Sequence, residues 1–204
     1  MLSRKGLNMS DEFKITLAQL NATVGDLSGN NQKVMDAWEI ARDERSDLIA
    51  FPEMFITGYN PQDLILKTAF QKAATSSIEQ IATACSQGPA IAIGGPFCDD
   101  DKLYNSYYIL ADGKIQAVIK KHHLPNEEVF DEVRLFSSGN VDGPFQIGKM
   151  RIGSPICEDA WHTDIVETLA ETGAQTLLVP NGSPYYRGKT DIRQNVMVSR
   201  VVES

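Results

Sequence analysis

The sequence predicts an α/β domain built on a mixed β-sheet. Short continuous apolar runs, DLIAF (47–51) and AIAIGG (90–95), indicate strands that are buried on both faces. Amphipathic segments lie between such runs, which favours a strand–helix–strand order. Around the turn-forming ADGK, the segments LYNSYYIL (103–110) and KIQAVIKK (114–121) predict an antiparallel hairpin in the same sheet.

The first half of the chain predicts one further strand and two helices. KITLAQL (14–20) alternates and contains β-branched residues, as strands do. A turn-rich segment (23–31) follows, in which Ser28 and Asn30 can cap a helix. The apolar residues that would share one face of this helix are Val34, Trp38 and Ala41. The segment from Phe70 to Cys85 predicts the second helix.

The second half predicts another strand pair and a further strand between two helices. Phe145–Ile147 and MRIGSPI (150–156) form the predicted pair. A helix over Thr163–Thr172 and a strand at 175–180 follow, and a last helix begins at Asp191.

Composition limits the classes of function. The chain has 204 residues, of which 42% are hydrophobic, and a net charge of −8, so a nucleic-acid partner is not expected. No apolar run reaches the roughly 20 residues of a membrane span. Three cysteines without a CxxC pair favour a reducing, cytoplasmic location and predict no metal site. The polar start predicts a disordered leader at 1–11, followed by one domain at 12–204.

Three chemically distinct groups follow predicted strands. Pro52 ends one strand and places Glu53 at its carboxyl edge, where a partly desolvated carboxylate suits a general base. Lys120 and Lys121 end the hairpin and, by alternation, face opposite sides. Cys157 lies at a strand-to-helix turn, where amides and cations would lower the pKa of its thiol. Each residue alone has a simpler explanation, but together they predict a site at the carboxyl edge of the sheet.

Longer motifs around these residues resemble a known family. FPEMFITGY, KKHHLPN and ICEDAW, in this order, resemble the nitrilase (carbon–nitrogen hydrolase) superfamily with its Glu–Lys–Cys triad. GYNPQDLILKTAF, LPNEEVFDEVRLF and NGSPYYRGK resemble one branch, the glutaminase domain of glutamine-dependent NAD synthetases. The resemblance implies a four-layer α-β-β-α sandwich with mixed sheets. It also implies that residues 12–204 form a glutaminase domain truncated at its C-terminal end, because the pattern stops before the last strands of that domain.

The resemblance assigns roles to individual residues. It implies Glu53 as the general base, Lys121 as the lysine beside the oxyanion, and Cys157 as the nucleophile. Lys121 is preferred to Lys120 because the family pattern places its lysine three residues before the leucine of a Leu-Pro pair, here Leu124. The residues implied to line a glutamine pocket are Tyr59, Phe130, Glu158, Ser183 and Lys189.

Two positions stand apart from that set. Glu132 matches a recurrent acid of the family, for which a positioning role is expected. Relatives often carry Asn-Tyr after the Leu-Pro pair, whereas this chain has Asn126-Glu127, so Glu127 is not counted among the glutamine contacts.

The resemblance also implies a reaction and its partners. Ammonia would be released from L-glutamine through a cysteine thioester, for amidation of nicotinic acid adenine dinucleotide by a separate ATP-dependent synthetase domain. No metal or organic cofactor is implied for the glutaminase half. ATP and Mg²⁺ belong to the synthetase domain, whose phosphate-binding loop does not occur in this sequence. Superfamily members commonly pair, which implies a homo-oligomer.

Other interpretations stay open at this point. A stand-alone amidase of the same superfamily would hydrolyse a different amide, and a non-catalytic scaffold could retain the triad residues. A papain-like Cys–His enzyme would need one of the histidines His122, His123 or His162 at the thiol. A metal site at Cys157 and His162 lacks a convincing set of further ligands.

Overall fold

The computed structural model describes residues 12–127, 129–185 and 187–203, so the predicted leader lies outside the described residues. The chain forms two mixed β-sheets. In spatial order, the first sheet contains β1 (Ile15–Leu17), β2 (Leu48–Ala50), β3 (Ala90–Asp99), β4 (Lys102–Ala111) and β5 (Lys114–Lys120). The pairs β1–β2 and β2–β3 are parallel, whereas β3–β4 and β4–β5 are antiparallel.

The turn between β4 and β5 confirms the predicted hairpin. Ala111 pairs with Lys114, which leaves Asp112 and Gly113 as a two-residue loop. Their φ angles are 54° and 79°, as a type I′ turn requires. The hairpin places Lys121, the residue after β5, beside the middle of β4.

The second sheet contains β6 (Phe145–Ile147), β7 (Met150–Gly153) and β8 (Thr176–Leu177). β6 and β7 pair antiparallel, as predicted, and β8 runs parallel to β7. β8 is shorter than the predicted strand at 175–180, because the chain then turns to run past the segment at Cys157. There, the Cys157 N–H donates to the Pro180 carbonyl at 3.0 Å.

Five α-helices and two 3-10 helices complete the described part of the chain. The α-helices are α1 (Leu27–Asp43), α2 (Thr68–Ala84), α3 (Glu132–Leu135), α4 (Thr163–Glu171) and α5 (Lys189–Glu203). The 3-10 helices span Gln62–Leu66 and Cys157–Trp161. α3 and the first 3-10 helix have no counterpart in the predicted elements. None of the described helices has both the length and the apolar character of a membrane span.

The start of α1 differs from the prediction. Asp26, not Ser28 or Asn30, caps the helix through its side chain. Asn30 is fully buried, and its amide group bonds the backbone of Thr23 and the carbonyl of Ile56. Its hydrogen-bonding groups therefore fix the loop that follows Glu53 instead of capping the helix.

Two hydrophobic cores define the layers. The core between the first sheet and helices α1 and α2 includes Val34, Trp38, Ile49, Ile78, Ile81 and Ile91. The core between the two sheets includes Leu48, Tyr107, Ile109, Phe145, Ile152 and Ile156. On the outer face of the second sheet, Gly153 has no side chain, and a Cβ there would lie 3.0 Å from Leu169 of α4. The order of layers is therefore α-β-β-α, as the resemblance implied.

Candidate active site

A buried ammonium between two carboxylates forms the centre of the site. Lys121 Nζ lies 2.7 Å from Glu53 Oε1 and 2.8 Å from Glu132 Oε2, and all three side chains are fully buried. Glu53 follows β2, Lys121 follows β5, and Glu132 begins α3. Charges buried in this way are stable only when they are paired, so the three side chains hold one another in place.

Neighbouring polar groups fix the orientation of both carboxylates. Asn105 of β4 donates from Nδ2 to Glu53 Oε1 at 2.8 Å and to Glu132 Oε1 at 3.3 Å. The Tyr59 hydroxyl donates to Glu132 Oε1 at 2.9 Å. The Gly182 N–H donates to Glu53 Oε2 at 2.8 Å. A Cβ at Gly182 would lie only 2.8 Å from the Tyr59 ring, so glycine permits this close approach.

Cys157 lies at a sharp turn beside this cluster. It is 2% exposed and begins the 3-10 helix with a φ of 48°. A non-glycine residue in this left-handed region costs of order 1–3 kcal/mol, and such strain concentrates at functional sites. The sulfur lies 3.4 Å from Ser183 Oγ. Ser183 follows Gly182, whose N–H binds Glu53, so this segment lies against both the thiol and the carboxylate.

The ionisation of the thiol differs from the prediction. Burial and the negative charge of Glu53 raise the pKa of Cys157 to about 12. Lys121 and the hydrogen bonds from Ser183 and Gly182 act in the opposite direction without reversing the shift. The predicted lowering of this pKa is therefore wrong, because desolvation outweighs the nearby donors. The thiol is therefore protonated near pH 7.

The carboxylates also influence the ionisation of their neighbours. Although burial acts against the ammonium, Glu53 and Glu132 raise the pKa of Lys121 above its usual value, so the amine remains protonated. Burial and Glu53 raise the pKa of Glu132, while Lys121 opposes the rise. One lysine thus pairs with two buried acids.

An open cavity of about 510 Å³ lies beside the carboxyl ends of β1 and β2. Pro52, next to Glu53, and Ser183, which contacts the thiol, both line it. Arg193 of α5 and Asn181 contribute polar groups to its wall. Glu53, Lys121 and Cys157 are not among its lining residues, so the cavity borders the site without exposing its charged cluster or its thiol.

The carbon–nitrogen hydrolase family matches residues 14–202. The chain belongs to this family.

Within the carbon–nitrogen hydrolase family, the similarity extends to particular proteins. The chain is 50% identical over 196 residues to a glutamine-dependent NAD(+) synthetase of Rhodobacter capsulatus, covering 96% of this chain and 36% of the relative. The solved glutamine-dependent NAD+ synthetase of Acinetobacter baumannii superposes with a TM-score of 0.84 at 32% identity, covering 92% of this chain and 35% of that one. An amidase from Nesterenkonia sp. shares the fold with a TM-score of 0.80 at 23% identity, over 94% and 72% of the two chains. The chain spans about a third of the length of the synthetases it matches.

The five residues that the resemblance assigned to a glutamine pocket make the following contacts in the structure. Ser183 touches the thiol, and the Tyr59 and Phe130 rings lie 6.3 Å apart near the acid cluster. Glu158 Oε1 lies 3.4 Å from His162 Nε2, and Lys189 is buried at the start of α5. Of these five, Ser183 lines the 510 Å³ cavity. Their contacts with substrate stay predictions.

The three histidines make their contacts away from the thiol. His122 Nδ1 bonds the Gly139 carbonyl, and His123 Nε2 bonds Asp164. The His162 ring stacks on His123 at 3.9 Å. In the part of the chain that the structure describes, no histidine shares a hydrogen bond with Cys157, which argues against a papain-like pair.

Asp159 is a positioning residue that sequence reasoning missed. Its buried carboxylate accepts from the His123 N–H at 2.7 Å and from the His122 and Ile156 N–H groups at 3.1 Å. The first two amides follow Lys121, and the third precedes Cys157. Asp159 therefore holds the segment that follows Lys121 against the turn at Cys157. An acid two residues after a candidate cysteine was the available signal, but its partners are distant in sequence.

We expect Asp159→Ala to destabilise the fold by about 3 kcal/mol, because it leaves one buried and two part-buried amides without an acceptor. Asp159→Asn keeps one carbonyl oxygen and should cost about half as much. Urea denaturation measures both values. Glu167→Ala, at an exposed acid on α4, is the matched control and should change stability by less than about 0.5 kcal/mol. An equally small effect of Asp159→Ala would contradict the positioning role.

Proposed function

We propose that this chain is the glutaminase part of a glutamine-dependent NAD(+) synthetase, which releases ammonia from L-glutamine through a thioester on Cys157. The observation that carries the proposal is the buried Cys157 thiol, which contacts Ser183 next to the Gly182 N–H that binds Glu53, and the pairing of this carboxylate with Lys121. The 50% identity to a protein of that name supports the choice of substrate.

Attack begins from the neutral thiol. Glu53 accepts the thiol proton as the sulfur bonds to the amide carbon, and the carbonyl electron pair moves onto oxygen. Lys121 Nζ and the backbone N–H of Glu158, in the first turn of the 3-10 helix, stabilise this oxyanion. Donors of this kind typically contribute about 3 kcal/mol each to lowering the barrier.

Release and hydrolysis complete the cycle. Protonated Glu53 transfers its proton to the amide nitrogen, the carbon–nitrogen bond breaks, and ammonia leaves. The γ-glutamyl thioester remains on Cys157. Glu53 then takes a proton from water as the water oxygen attacks the thioester carbon, and it returns this proton to the sulfur as the carbon–sulfur bond breaks. Glutamate is formed and the free thiol is regenerated. Glu132 and Asn105 hold Glu53 and Lys121 in place during these steps.

The ammonia has a defined use in this proposal. A synthetase domain, in the same chain or in a partner, would bind ATP and Mg²⁺ and amidate nicotinic acid adenine dinucleotide. In this mechanism the glutaminase half-reaction uses neither a metal nor an organic cofactor. The second step needs residues that this sequence does not contain, so the complete synthesis of NAD requires that other domain.

Comparing amide substrates tests the proposal. We expect ammonia release from L-glutamine to exceed release from L-asparagine and from butyramide by at least about 100-fold in kcat/KM, because only glutamine offers both the correct chain length and charged α-groups. Coupled detection of ammonia measures the three rates on the chain and on the protein that carries the synthetase domain.

The competing functions give different results in this assay. Faster hydrolysis of butyramide would identify a stand-alone amidase and overturn the assignment to glutamine. Absence of turnover in both proteins, with each of them folded, would support the non-catalytic scaffold instead.

A further inference from the structure

We propose that His122, His123 and Asp164 form a binding site for a divalent transition-metal ion of the zinc class, separate from the thiol. One ring nitrogen of each histidine and one carboxylate oxygen of Asp164 all lie within 4.8 Å of one another. Two imidazoles and one carboxylate are a common ligand set for such ions. These residues have no role in the proposed glutamine chemistry.

The His122 ring already makes the second contact that metal-binding histidines usually make. Its Nδ1 lies 2.7 Å from the Gly139 carbonyl oxygen. A carbonyl can only accept, so Nδ1 carries the proton and neutral His122 has its lone pair on Nε2. Metal-ligating histidines typically donate their other ring N–H to a carbonyl or carboxylate, because this fixes the tautomer and the ring orientation.

The distance between the other two ligands, His123 and Asp164, is close to the distance between two ligand atoms on one metal ion. His123 Nε2 lies 3.0 Å from both carboxylate oxygens of Asp164. Two ligand atoms on a tetrahedral ion, each bonded at about 2.0 Å, are roughly 3.3 Å apart. The His162 ring stacks on His123 at 3.9 Å and restricts the plane of its ring. The observed spacing between His123 and Asp164 is a few tenths of an ångström shorter than on a metal ion, so a bound metal would move the two ligand atoms slightly apart.

The surrounding structure keeps the ligands together. Asp159 holds the backbone amides of both His122 and His123, and Asp164 lies in the first turn of α4. Such preorganisation lowers the entropy cost of binding a ligand. The ligands are half-buried or exposed, so an ion can enter from solvent. By bridging the end of β5 to α4, a bound ion would stabilise the native state.

The ligand set indicates which ions should bind. Imidazole nitrogens favour Zn²⁺, Ni²⁺ and Co²⁺, whereas Mg²⁺ and Ca²⁺ prefer sets made only of oxygen. Three protein ligands leave a fourth tetrahedral position for water. We therefore expect Zn²⁺ and Co²⁺ to bind in one equivalent each and millimolar Mg²⁺ not to compete.

Calorimetric titration of Zn²⁺ into the whole chain tests the site directly. The chain would carry Cys98→Ser, because Cys98 is the exposed thiol and could bind zinc by itself. His123→Gln and Asp164→Asn should each weaken Zn²⁺ binding about 100-fold, because each changes a direct ligand. Loss of a residue that only supports a ligand typically weakens metal binding about 10–100-fold. Glu167→Gln, on the same helix, should leave the affinity unchanged. Zn²⁺ should raise the melting temperature of the parent protein and of Glu167→Gln only.

A spectroscopic measurement identifies the ligands independently of enzymatic activity. Co²⁺ bound to the Cys98→Ser protein should show visible bands of tetrahedral nitrogen–oxygen coordination without thiolate charge-transfer absorption. Equal zinc affinity in the parent protein, His123→Gln and Asp164→Asn would overturn the proposal. So would a dissociation constant above about 100 µM, which corresponds to only about 5.5 kcal/mol of binding free energy.

Discussion

Replacing Cys157 by alanine is expected to reduce ammonia release from L-glutamine by about 10⁵-fold or more, because removal of a nucleophile that acts with a base eliminates the covalent route. The fold should persist, since the variant removes one buried sulfur from a site that is already closely packed. Ammonia release and urea denaturation, measured on the same preparation, separate these two effects.

Cysteine labelling makes this prediction specific to one thiol. A glutamine-like chloroketone should add one mass increment to the parent protein and to Cys85→Ala, but none to Cys157→Ala. Cys85 is a suitable control because it is also buried, in the helix-side core rather than at the turn. Retention of more than about 1% of the activity in Cys157→Ala, or equal labelling of that variant, would contradict the nucleophilic role.

The fold was largely predictable because local signals and the global arrangement agree. The Asp112-Gly113 turn can adopt the positive φ angles of a hairpin, and the apolar run at 47–51 can form a doubly buried strand. The cap of α1 was predicted wrongly because Asn30 bonds to Ile56, which is distant in sequence. The layering of the two sheets could be predicted only from the resemblance. Alternation of apolar and polar residues shows which face of a strand is buried but not which element covers it.

The pairing of Glu53 with Lys121 was predictable from the sequence pattern, whereas the catalytic roles of these residues and of Cys157 stay predictions. Glu53, Lys121 and Cys157 each follow a strand, and such positions meet at one edge of a layered domain. The contribution of Gly182 was not predictable, because it depends on a backbone N–H that reaches a carboxylate 129 residues away. The ionisation of the thiol was also not predictable, because the degree of burial at Cys157 decides the direction of its pKa shift.

Replacing Lys121 by methionine should be the most destabilising change at the site. Methionine has a similar length, but it leaves Glu53 and Glu132 as adjacent buried acids without a cation. Removing one partner of a buried charge network typically costs about 3–5 kcal/mol. Ammonia release should also fall by at least about 100-fold, because an oxyanion donor is lost.

The loss of stability should depend on pH in a defined direction. Lys121 opposes the rise in the pKa of Glu132, so its removal raises that pKa further. A carboxyl whose folded-state pKa lies above its unfolded value contributes stability below the unfolded value and loses it as pH rises through the folded value. The difference in unfolding free energy between Lys121→Met and the parent protein should therefore be largest near pH 8. It should shrink as pH falls toward about 4.5, the ordinary range of a glutamate.

Two further variants separate the contribution of the Lys121 charge to stability from the contribution of its packing. Lys120→Met changes the neighbouring lysine, which pairs with Asp99 at 2.8 Å near the surface, and should cost less than about 1 kcal/mol. Lys121→Met combined with Glu132→Gln removes one of the two acids left unpaired, so it should recover part of the stability and flatten its pH dependence. The double variant should remain inactive, because the oxyanion donor is still missing. If Lys121→Met lost the same stability at pH 5 and pH 8, packing rather than charge compensation would be the main contribution of this lysine.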